Sequence, residues 1–79
     1  MNNLAVLSQR AMMYAYEQGN LHAWCVQLEN GDIVILFETM DDKLVAKITV
    51  SYLGFTVFCK WPSDLVRFGA WLESLADYL

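Results

Sequence analysis

The sequence predicts an α+β fold: a two-layer α-β-β-β-β-α arrangement in which a four-stranded antiparallel meander, order 1-2-3-4, carries the N- and C-terminal helices on one face. Three observations lead there. Apolar residues recur at steps of three and four at both ends of the chain. They recur at a step of two in between, from about residue 22 to 60. The turn residues that separate the two-step segments let one apolar face run through successive strands without switching sides.

In the first element, Leu4, Leu7, Ala11 and Tyr14 share one helical face. Asn2 or Asn3 offers a side-chain oxygen to cap it, and Gly19-Asn20 ends it, because glycine enters the left-handed conformation cheaply. "HAWCVQLE" and "DIVILFET" then flank Asn30-Gly31, a dipeptide suited to a two-residue hairpin turn. That turn sets Leu28 opposite Ile33, Val26 opposite Ile35 and Trp24 opposite Phe37 on the core face. It sends Cys25, Gln27, Val34, Leu36 and Glu38 to the outer face. Asp41-Asp42 makes the next turn and pairs Phe37 with Ala46, Ile35 with Ile48 and Ile33 with Val50. Leu53-Gly54 makes the third, with Tyr52 opposite Phe55 and Val50 opposite Val57. Beyond Pro62, Ser63 caps the last helix, Asp64 suits its positive end, and Leu65, Phe68, Leu72, Leu75 and Leu79 form its stripe.

Residues 1–79 are enough for a single domain, and a small one. The hydrophobic fraction is 57% and the mean hydropathy +0.31. So small a body has too much surface to hide that many apolar side chains, which points to a homodimer or a protein that binds a partner. The formal charge of −4 repels phosphate backbones and favours a partner with a basic surface, such as a nuclease or other nucleic-acid-binding complex, over direct contact with nucleic acid. No apolar run reaches the length of a membrane span. The N-terminus lacks a basic lead and a cleavage site, so a cytoplasmic protein is expected. Cys25 facing out on the first strand and Cys59 facing in on the fourth would stand roughly 14 Å apart, too far for a disulfide.

Catalytic groups are sparse. His22 is the sole histidine and has no sequence companions at metal-ligand spacing. The serines lack a nucleophile-elbow setting, Asp41-Asp42 reads as a turn, and the cysteines form no C-x-x-C. The expectation is a non-enzymatic protein with no cofactor and no metal.

Three features suit binding. On the outer sheet face, Val34, Leu36, Val45 and Phe58 break the polar alternation of a solvated side and join into one patch across the second, third and fourth strands. On the last helix, Trp71 and Tyr78 lie about 70–90° to one side of the stripe, with Arg67 one turn before Trp71. Either these rings drape over the first helix and close the core margin, or Arg67, Trp71 and Tyr78 form an exposed anchor set of hot-spot composition. Lastly, Glu17, Glu38, Asp41, Asp42 and Asp64 gather at one end, where they would steer the chain towards a basic partner.

In size, acidity, lack of catalytic residues and compact αβ build, the chain resembles the small inhibitors of bacteriophages and mobile elements, such as anti-CRISPR proteins. The immunity proteins and antitoxins of bacteria are similar in make-up. The likeness implies a protein that works by covering a host nuclease, a defence complex or a toxin's active site. An alternative reading is a purely structural homodimeric module.

Overall fold

The computed structural model describes residues 3–75, with the side chain of Asn3 excepted. The cap expected of Asn2 or Asn3, the anchor Tyr78 and the stripe residue Leu79 therefore lie outside the described residues. Helix α1 (Asn3–Gln18) leads into strands β1 (Leu21–Gln27), β2 (Ile33–Thr39), β3 (Leu44–Ser51) and β4 (Gly54–Cys59). A 3₁₀ turn, Pro62–Asp64, opens helix α2 (Leu65–Ser74). The sheet is antiparallel throughout, in the order β1-β2-β3-β4.

Both helices pack on one face, because one core joins them to the sheet. Leu7, Ala11 and Ala15 of α1 meet Ile33, Ile35, Phe37, Ala46 and Ile48 of the strands and Phe68, Leu72 and Leu75 of the C-terminal segment. Alanine at positions 11 and 15 of α1 lets the helix approach β1, over which it mainly lies, whereas α2 lies beside β4. Leu65, expected in the α2 stripe, stays exposed at the first helical position. Ser63 caps nothing: it sits within the 3₁₀ turn, and no side chain caps α2.

The β2–β3 pairing is the expected one, with Phe37 opposite Ala46, Ile35 opposite Ile48 and Ile33 opposite Val50. The loop that produces it is longer. Met40, Asp41 and Asp42 form a three-residue connection, closed by Thr39 N–H to Lys43 carbonyl at 2.9 Å and by Asp42 N–H to Thr39 carbonyl at 2.9 Å. Asp42 takes a φ of 65°, a left-handed value that aspartate tolerates better than most residues. A β-bulge beyond Glu38 and Leu44 absorbs the extra residue and restores the register. Val45 is the residue at the bulge, and it is buried at 3% exposure instead of facing outwards.

The β1–β2 register departs from the expectation by one residue, and every side chain of β1 changes face. The loop spans Glu29, Asn30 and Gly31, with Gly31 at φ 94°. Leu28 N–H donates to the Asp32 carbonyl at 2.7 Å and Gly31 N–H to the Leu28 carbonyl at 2.9 Å. Ala23 pairs with Phe37, Cys25 with Ile35 and Gln27 with Ile33 on the inner side. Trp24 and Val26 point outwards with Leu36 and Val34. Cys25 thus packs on the core, as does Cys59 at the other edge of the sheet, and both are free thiols. At the third turn the loop is Tyr52-Leu53, with Ser51 opposite Gly54 and Ile48 opposite Val57. This shift of two residues preserves the faces but leaves Tyr52 and Leu53 out in solvent.

No helix among the described residues is long and apolar enough to cross a membrane.

Candidate partner-binding surface

The outer sheet face is assembled by cross-strand neighbours. One row runs Trp24, Leu36, Lys47, Phe58; the next runs Val26, Val34, Thr49, Thr56. A third begins His22, Glu38, Leu44. Both helices lie on the opposite side, so nothing in the described chain covers these rows. Trp24 is 55% exposed and Phe58 53%, while Val26 and Leu28 are also exposed. The apolar half of the face is therefore on β1 and β2, and the half on β3 and β4 carries Lys47 and two threonines around Phe58. The expected patch of Val34, Leu36, Val45 and Phe58 on the second to fourth strands is corrected in two ways. Val45 belongs to the core, and Trp24 and Val26 replace it at the other edge.

Trp24 is held in place. Its indole Nε1 donates to Glu38 Oε1 at 2.8 Å, and its ring meets His22 edge-on with 5.5 Å between centroids. A large ring fixed by a hydrogen bond loses little conformational freedom on binding, which favours it as an anchor.

The α2 flank takes the other of its two expected roles. Trp71 stacks on Tyr14 at 5.2 Å and 24° between planes, and meets Phe37 edge-on at 5.4 Å. Tyr14, Phe37, Phe68 and Trp71 form one aromatic cluster that closes the margin between the helices. Burial raises the Tyr14 phenol above its usual pKa, against the opposing pull of Arg67. Arg67 does not stack on Trp71. Its guanidinium lies 4.9 Å over Phe68, its Nη1 donates to Gln18 Oε1 at 2.6 Å, and its Nε lies 3.1 Å from Asp64 Oδ1. Arg67 thereby ties the end of α1 to the start of α2, an internal task.

The expected acidic cluster divides. Glu38 and Asp42 converge on His22, at 3.6 and 3.2 Å from its Nε2. Asp41 pairs with Lys43 at 3.6 Å, Asp64 with Arg67, and Glu17 remains exposed on α1. His22 does have companions, supplied by strand pairing and a loop instead of by sequence spacing.

A second apolar region went unnoticed in the sequence. A groove of 610 Å³ at the α1–β1 margin is lined by Met12, Ala15, Tyr16, Leu21, His22 and Met40, among others. Met12, Tyr16 and Met40 are all well exposed. The signal was present as a helical repeat, because Met12 and Tyr16 stand four residues apart on the flank of α1 away from Leu7 and Ala11. Comparison with protein families, curated proteins and solved structures gives no match to this chain.

Proposed function

We propose that the chain is a non-enzymatic protein-binding module whose outer sheet face, centred on Trp24, docks on a partner protein. The observation that carries this reading is the row of Trp24, Val26, Val34 and Leu36, side by side on a face that neither helix covers. Charge favours one kind of partner. Glu29 and Asp32 stand at the β1–β2 turn and Asp41 and Asp42 at the β2–β3 turn, so acids flank the apolar row at both ends. With a net charge of −4, the complement is an apolar surface ringed by basic groups. Nucleases and nucleic-acid-binding complexes carry such surfaces. The role is that of a small acidic inhibitor, of the kind phages and mobile elements direct at host defence, or of an immunity protein or antitoxin that covers a toxin's active site.

The test combines sedimentation of the isolated chain with capture from lysate of the source organism by wild type, Trp24→Ala and Leu36→Ser. A partner retained by wild type, lost by both variants and weakened by salt supports the reading. A partner retained equally by all three overturns it. A monomer–dimer equilibrium broken by Trp24→Ala would give the face to a second copy of the chain instead.

A further inference from the structure

We propose that His22, Glu38 and Asp42 form a binding site for a divalent transition-metal ion of the zinc type. One donor atom from each residue lies within 4.8 Å of the other two. Asp42 Oδ1 is 3.2 Å and Glu38 Oε1 3.6 Å from His22 Nε2. Around a tetrahedral ion with bonds of about 2.0–2.1 Å, neighbouring donors stand about 3.3 Å apart, the same spacing to within side-chain adjustment.

A separate observation points to a ligand. His22 Nε2 is shut off from solvent and has no hydrogen-bond partner. Asp42 Oδ1 is near enough to accept from it but out of line with its proton, and Glu38 Oε1 at 3.6 Å is beyond hydrogen-bond distance. An ion seated between the three donor atoms would satisfy the nitrogen and both oxygens at once. A shielded ring nitrogen with no partner is otherwise costly.

The fold builds the arrangement from separate parts. His22 and Glu38 are direct cross-strand partners on the outer face. The Asp42 side chain reaches His22 from the β2–β3 loop, where its backbone takes a φ of 65°. Trp24 donates to Glu38 Oε1 at 2.8 Å, an outer contact of the sort that orients metal-binding carboxylates. Asp42 is largely exposed, so the fourth coordination position opens to solvent, available to water or to a side chain of another protein. One imidazole nitrogen and two carboxylate oxygens suit zinc, cobalt or nickel, whereas magnesium and calcium favour all-oxygen sites. The inference stands apart from the docking role of the outer face, and its test needs no partner.

The experiment titrates the full chain with zinc chloride in a non-chelating buffer, followed by calorimetry and by ¹H–¹⁵N long-range spectra of the imidazole of His22, the only histidine. The expected result is one ion per chain and a displaced Nε2 resonance, with no displacement by magnesium chloride. His22→Gln and Asp42→Asn should each weaken binding at least tenfold, and Trp24→Phe by about tenfold through loss of its contact to Glu38. Asparagine tolerates the positive φ, so Asp42→Asn keeps the loop. An unmoved Nε2 resonance in excess zinc overturns the proposal in the wild-type protein, whatever the variants do. Zinc affinity that is equal in wild type, His22→Gln and Asp42→Asn overturns it as well, by placing the ion elsewhere.

Discussion

Trp71 is wedged between Tyr14 and Phe37, so removing its ring opens a void that the two helices cannot both close. Trp71→Ala should lower the unfolding free energy by about 3 kcal/mol, measured by urea denaturation. Trp24→Ala removes a ring that is mostly in solvent and one exposed hydrogen bond, and should change stability by less than about 1 kcal/mol. The contrast separates the tryptophan that holds the fold from the one that faces outwards. Ionisable groups give a second residue-scale prediction. Burial raises the thiols of Cys25 and Cys59 and the phenol of Tyr14 above their ordinary values of 9.0, 9.0 and 10.0. Each group keeps its proton longer folded than unfolded, so its contribution is complete below the ordinary value and is lost as pH rises through the folded one. The unfolding free energy should therefore fall as pH climbs past 9.0. In native protein at neutral pH, both thiols should react sluggishly with alkylating reagents and speed up in urea. Prompt alkylation of Cys25 in folded protein would place it on the outer face, contrary to the register described above.

Among the elements, the turns decide which side chains are available. Gly31 at φ 94° has open space around the position of a Cβ, so Gly31→Ala meets no clash and suffers only from its backbone, by about 1 kcal/mol. Asp42 at φ 65° should accept glycine with little loss but not valine, whose branched Cβ resists that conformation. Val45→Ala should cost about 1–3 kcal/mol because the bulge turns this residue into the core, whereas Val34→Ala on the open face should cost well under that. The helices, the four strands, their order and most of the β2–β3 and β3–β4 faces were legible from periodicity and turn residues; Val45 was not, because the bulge turns it inwards. The β1–β2 register was not, for a specific reason. Asn30-Gly31 serves a two-residue turn and also a three-residue loop that ends on a left-handed glycine. Both faces of β1 offer apolar residues, Trp24 and Val26 on one and Ala23 and Cys25 on the other, so hydrophobic pattern alone does not choose between the registers. The sheet resolves the choice by packing: α1 lies directly over β1, and small Ala23 and Cys25 admit it where Trp24 would not. The site suffered accordingly, with Phe58, Val34 and Leu36 placed correctly on the outer face and Trp24 assigned to the wrong one.

For the molecule as a whole, the balance between apolar content and volume explains the exposed surface. The core takes the aliphatic and aromatic side chains of one sheet face and two helix stripes, and little else fits in a body of radius of gyration 11.7 Å. Much of what remains outside falls into groups: Trp24 and Val26 on β1 with Leu28 just past its end, Met12, Tyr16 and Met40 around the α1–β1 groove, and Tyr52 and Leu53 at the far hairpin, while Met13, Phe55, Phe58, Trp61, Leu65 and Val66 are exposed besides. His22 lines the groove and also touches Trp24, so the first two groups meet along the β1 edge. A partner gripping that edge would bury Trp24 together with methionines, whose flexible side chains adapt to an incoming surface. The most direct test is the affinity of the captured partner for wild type and for Trp24→Ala, each with its unfolding midpoint recorded. The expected result is a loss of about 2 kcal/mol or more in binding with the midpoint nearly unchanged. Undiminished affinity, or loss that simply follows unfolding, would contradict a docking role for the outer face of the sheet.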